Sequence, residues 1–202
     1  MRSIKFFGLI TLLLPTLFIY SQTFTFQQSI ISSTDDAEEK YDGSYITTSS
    51  SDLEMMYDSW NSQGLQTVGL RFSNITIPSN ATIVNAYIQF TADGSSSGNI
   101  DITIKGEDIA YSSTFSNNPN NISNRSTTSS NVVWTPSSSW IDNASGLGQR
   151  TPDLSNVVSE VISSNGWQIG NPITFIIAGN GNNSDFREAY SFDGNSSKSA
   201  QL

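Results

Sequence analysis

The sequence predicts an all-β protein, an antiparallel β-sandwich of jelly-roll type with one short amphipathic helix. Ser, Thr and Asn supply 73 of its 202 residues while charged residues make up only 13%, too thin a charge for a coiled coil or a long solvated helix. Hydrophobic residues reach 36%, with four Trp, seven Tyr and eleven Phe, enough for a packed core and against disorder. Short β-rich runs then recur between turns of Gly, Asn and Pro, the spacing of a sandwich.

At the N-terminus, Arg2 and Lys5 flank an apolar run over residues 6–19, and the small Ser21 follows. A basic start, a hydrophobic stretch and a small residue form a secretory signal peptide over residues 1–21, and about 14 apolar residues fall short of the roughly 20 that span a bilayer. Its removal leaves one domain, residues 22–202, with no membrane span. That domain has seven basic and eighteen acidic groups, a net charge of −11, which repels phosphate backbones and excludes nucleic acid as a partner. Cys and His are absent, so disulfides, Cys/His zinc sites and every Ser-His or Cys-His relay are excluded. An exported chain without Cys belongs outside a bacterial cell, secreted or at its surface.

Strands are expected over residues 23–33, 67–75, 82–92, 100–105, 131–135 and 173–178. In residues 100–105, Ile100, Ile102 and Ile104 alternate with Asp101, Thr103 and Lys105, the period of a half-buried strand; residues 82–90 alternate imperfectly. One stretch follows the helical period instead: Leu154, Val157, Val158, Val161 and Ile162 recur at i, i+3, i+4, i+7 and i+8. Thr151 is placed to cap this helix, Pro152 suits its first position, and Asn165-Gly166 offers a left-handed end with Trp167 folding back. The Ser/Asn-rich residues 112–130 read as a long loop.

A resemblance enters at Arg71-Phe72-Ser73-Asn74-Ile75-Thr76-Ile77-Pro78-Ser79-Asn80-Ala81-Thr82-Ile83-Val84-Asn85-Ala86-Tyr87-Ile88-Gln89-Phe90. This segment is similar to the pattern R-x-F followed by I-P-x-x-A-x-I-x-x-A-x-I-x-F of secreted bacterial jelly-roll modules, among them the DNRLRE-type carbohydrate-binding family. The stretches Ser33-Thr34-Asp35-Asp36-Ala37-Glu38-Glu39, Ser51-Asp52-Leu53-Glu54, Gln149-Arg150-Thr151-Pro152-Asp153-Leu154, Gly166-Trp167 and Tyr190-Ser191-Phe192-Asp193-Gly194 also resemble modules appended to exported Bacteroidetes proteins. The resemblance covers most of residues 30–202 and implies a jelly roll and carbohydrate binding. The chain departs from the pattern at Ala200-Gln201-Leu202, where a full apolar last strand is expected, so an open sheet edge is anticipated there.

Asp35, Asp36, Glu38, Glu39 and Asp42 crowd five carboxylates into eight residues after the expected first strand. They read either as a structural calcium site, completed by Asp52, Glu54 and Asp193, or as a solvated acidic loop, since the spacing is not that of an EF-hand. For a glycan, aromatic rings are the natural platform. Trp60, with Tyr57 beside it, is the first candidate; Tyr111 and Tyr190 near strand ends are further ones, while Trp134, Trp140 and Trp167 read as core. The scarce Arg71, Arg125, Arg150 and Arg187 are either ion pairs tying loops to the sandwich or forks for uronic-acid carboxylates, and of them Arg150, just before the helix, is taken as the candidate ligand contact. Two carboxylates can cleave a glycoside without His, but no pair stands out and no Gly-x-Ser-x-Gly elbow, phosphate loop or nucleotide fingerprint occurs. The sequence therefore points to a noncatalytic, calcium-holding module that binds a polysaccharide. The alternative is a structural or adhesive surface protein working through protein contacts or self-assembly at an open edge.

Overall fold

A computed structural model describes residues 23–59, 63–180 and 184–202; the expected signal peptide and Trp60 lie outside them. Among the described residues, eleven strands and two α-helices occur in the order β1 (Asp36–Lys40), β2 (Ile46–Thr47), β3 (Asp52–Met55), β4 (Tyr57–Asp58), β5 (Gly64–Phe72), β6 (Ser96–Ser97), β7 (Ile102–Glu107), β8 (Thr127–Trp134), β9 (Ser139–Trp140), α1 (Ser155–Ile162), β10 (Ile173–Gly179), β11 (Arg187–Tyr190) and α2 (Phe192–Asn195). Every strand pair is antiparallel. No helix among the described residues is long and apolar enough to cross a membrane.

The larger layer runs β2-β1-β5-β10-β7-β8, with β4 joining the start of β5. Its central strands are the most apolar, β10 reading Ile-Thr-Phe-Ile-Ile-Ala-Gly, because they are covered on both sides. The facing layer is less regular. It pairs β11 with β3, then continues through single bridges that join Ala92 to Ala189, and Ser29 to Gln201 to Gln89 to Arg150. Between the layers lies one apolar core: Phe72 meets Phe175 edge-on at 6.0 Å, and Phe90 of the irregular layer stacks on Trp134 of β8 at 5.8 Å. Trp134, Trp140 and Trp167 are all buried, as their positions in strand, turn and helix end suggested.

Several expectations shift. Residues 23–33 and 82–92 make single bridges rather than ladders; in the second, Ile88 N–H donates to Thr151 Oγ1 and Ala86 N–H to Asp153 Oδ1. That use of Thr151 moves the helix start to Ser155, with Leu154 in the cap position. Gly106 in β7 lets α1 close on the sheet, since a Cβ there would lie 2.7 Å from Val161 Cγ2. Gly166 does take a positive φ of 95° after the helix, and Trp167 Nε1 donates to the Ile77 carbonyl at 2.9 Å. The expected long loop gives way to β8 from Thr127 onward. Its earlier part tucks Phe115 and Ile122 into a second small core with Ala37, Ile46 and Ile176. Ala200–Leu202 is no open edge: Leu202 exchanges two backbone hydrogen bonds with Gln28, and Gln201 exchanges two with Gln89 on the other side.

Candidate functional site

Asp36, Glu38 and Glu39 of the acidic run lie in a strand, with Asp35 just before it, and only Asp42 stands exposed in the turn that follows. Residues 36–39 of β1 are buried between β2 and β5, which is tolerable only because each carboxylate finds a distinct partner. Asp35 pairs with the Arg71 guanidinium, whose Nε also donates to the Ser112 carbonyl. Asp36 Oδ2 accepts from Phe192 N–H at 2.7 Å, and Glu39 accepts from Ile122 and Ser123 N–H at 2.7 and 2.9 Å. Asp193, close enough to Asp36 to push its carboxyl up, accepts from Ser33 Oγ. Asp35, Asp36 and Glu39 thus bind the loops and termini to the sheet, and do not converge on one point with Asp52 and Glu54.

A different set converges. The antiparallel register of β3 and β11 places Glu188 directly opposite Glu54 and Tyr190 opposite Asp52. Like charges facing each other across strands repel. Carboxylate oxygens of Asp52, Glu54 and Glu188 lie within 4.8 Å of one another. Burial, then Asp52, Glu54, Asp93 and Asp58, push Glu188 up to about 7. Burial, then Asp52, also raises Asp93. Gly94, at φ 81°, leaves room for Glu188, because a Cβ there would lie 2.9 Å from its Oε2.

Beside this group a cavity of about 320 Å³ is lined by Glu38, Asp52, Glu54, Asp58 and the polar chains of Ser50, Ser51, Thr47, Gln63 and Gln66, with Tyr45 at its wall. Glu38 accepts from Glu54 N–H. Burial, then its contact with Glu54, holds its carboxyl well above the usual range. The site offers hard oxygen donors, the donor set that Ca²⁺ prefers. Neither a protein-family model nor a curated protein sequence matches this chain.

Of the residues singled out from sequence, the structure brings Asp52 and Glu54 together and places Glu38 on the same cavity. Tyr57, in β4 opposite Leu65, is half-buried. Tyr111 is exposed in the loop before β8. Tyr190 leaves β11 with Lys198 Nζ 4.5 Å above its ring. Arg150 sits on the irregular layer, its guanidinium 4.0 Å above the Tyr87 ring. Sequence reasoning missed Glu188. Its signal was present as Arg-Glu-Ala-Tyr, where Arg187 and Ala189 turn inward and Glu188 and Tyr190 outward, the same alternation as Asp52-Leu53-Glu54. What joins the two stretches is their register.

Proposed function

We propose that this chain is a secreted, noncatalytic carbohydrate-binding-type module in which Asp52, Glu54 and Glu188 hold a calcium ion that ties β3 to β11. The observation that supports it is the facing Glu54–Glu188 pair with Asp52 beside it. A divalent cation would turn the mutual repulsion of these carboxylates into shared coordination, with hydroxyl and amide oxygens of the adjoining cavity and water filling a shell of six to eight. The ion is structural in this reading: it fixes two strands, and the glycan binds elsewhere on the sandwich. Calorimetric titration with Ca²⁺ and thermal melts in calcium and in EDTA test it, because an ion that binds only the folded state raises the midpoint. Uptake near one ion per chain, lost in Glu188→Gln, supports the site; no uptake and identical melts sink it.

A second reading, assembly through protein contacts, is favoured by β8. This strand ends the larger sheet; Glu160 of α1 takes the Ser129 and Ser130 N–H groups, while residues 131–134 carry no charged side chain of the kind that usually guards an edge. Sedimentation across a concentration range separates the two: a monomer at all concentrations rejects assembly.

A further inference from the structure

Four neighbouring segments of the irregular layer carry polar side chains in a single line. Bridges place Ser29 opposite Gln201, Gln201 opposite Gln89, and Gln89 opposite Arg150. Their flanking neighbours Ile30, Ala200, Ile88 and Phe90 are buried in the core, so by the alternation of extended chain this row faces outward. At the strand spacing of about 4.8 Å the row runs roughly 14 Å across the layer.

The row is held in fixed orientation. Gln27 Nε2 donates to Gln201 Oε1, and Gln201 Nε2 donates to Ser29 Oγ at 3.2 Å. Gln89 Nε2 donates to the Phe90 and Gly146 carbonyls, while its Oε1 accepts from Arg150 Nε at 3.0 Å. Arg150 is then stacked on Tyr87, two residues before Gln89 on the same side. Its two terminal NH₂ groups meet no carboxylate and no other protein acceptor among the described residues, whereas Arg71 and Arg125 each have an acidic partner. Leu147, 81% exposed, follows the Gly146 that receives Gln89.

This surface is free of acidic side chains. Residues 23–31, 81–92, 144–152 and 199–202, which build it, contain no Asp or Glu, and Arg150 is their one charged residue. In a domain of net charge −11 this is a face that an extended, hydroxyl-rich chain can approach without facing acidic side chains from these segments.

We propose that the row Arg150–Gln89–Gln201–Ser29, with Gln27 at one end and the Tyr87 stack at the other, is the track on which a polysaccharide lies across the strands. The proposal rests on the carbohydrate-binding reading above and says where that ligand binds. Side-chain amides and a guanidinium present paired donors and acceptors in flat groups, which match neighbouring hydroxyls on a sugar ring, and the free edge of Arg150 takes a hydroxyl pair or a uronate carboxylate. Preorganisation by the row's own hydrogen bonds spares the ordering cost that flexible side chains would incur on binding.

The test is affinity electrophoresis of the chain, in calcium and in EDTA, through gels containing neutral and uronate-containing polysaccharides, with melts recorded for every variant. At least tenfold weaker retention is expected for Arg150→Ala and for Gln89→Ala on whichever polymer retains the wild type. Lys105→Ala, on the other sheet, should be retained as the wild type is. Arg150→Lys, which keeps the charge and loses the fork, serves if Arg150→Ala melts early, and should also be retained less. Wild-type retention with unchanged retention of the Arg150 and Gln89 variants overturns the track and leaves the module reading standing. Retention of the wild type on no polymer overturns both.

Discussion

Asp36→Asn should stabilise the protein at pH 8 and change it little at pH 5. Asp36 is almost wholly buried in β1. Burial pushes its carboxyl up to about 7; the Phe192 N–H works against the rise, while Asp193 and Asp35 add to it. From the ordinary value of 3.8 to about 7, at about 1.36 kcal/mol per unit, the ceiling is about 4 kcal/mol. The folded chain binds the extra proton, so this stability is fully present below about pH 4 and is lost as pH rises through 7. Asparagine keeps an oxygen for Phe192 N–H and removes the titration, at the cost of one amide donor to satisfy. A gain of about 2–3 kcal/mol at pH 8 remains, or roughly 5–10 °C in Tm for a chain of this size. Urea and thermal unfolding followed by Trp fluorescence in EDTA at pH 5, 6, 7 and 8 would measure it. Glu38, Glu54 and Glu188 titrate alike in both proteins, so the difference between the two curves isolates Asp36. If Asp36→Asn were less stable than the wild type at pH 8, the carboxylate would be ionised and stabilised there, and the reasoning from burial would be refuted.

Arg71→Leu strands Asp35 in the interior and should cost about 3–5 kcal/mol in urea unfolding; the double change Arg71→Leu, Asp35→Leu should recover part of it, and equal losses in single and double variants would show that the pair is not coupled. Glu39→Gln removes the charged acceptor shared by Ile122 and Ser123 N–H, which should cost about 1–3 kcal/mol and speed proteolytic nicking within residues 112–126; unchanged cleavage would mean that Phe115 and Ile122 hold the loop alone. Calcium binding should weaken by roughly 100-fold from pH 8 to pH 5, because a proton held on Glu188 near pH 7 must leave before the ion enters. Calorimetric titration of the wild type at pH 5, 6, 7 and 8 measures it, and an affinity that stays constant across that range would show that no such proton is displaced.

Local pattern determined much of this molecule. The strict alternation of residues 100–105, the apolar run at 173–178 and the helical period from Leu154 to Ile162 each need only near neighbours to be read, and β7, β10 and α1 follow them. The same holds for Trp134, Trp140 and Trp167, whose flanks mark them for the core. The acidic run was different, because burying a carboxylate depends on a partner that the local sequence does not contain: Phe192 lies 156 positions from Asp36, and Ile122 lies 83 from Glu39. Residues 200–202 likewise became an interior segment only once Gln28 and Gln89 stood on either side. The candidate cation site shows the division most clearly. Asp52 and Glu54 lie on one face of a strand by alternation alone, and Glu188 lies outward on another by the same rule. That the three face each other is decided by the register of β3 against β11, which is set by long-range packing and which a one-residue slip would undo.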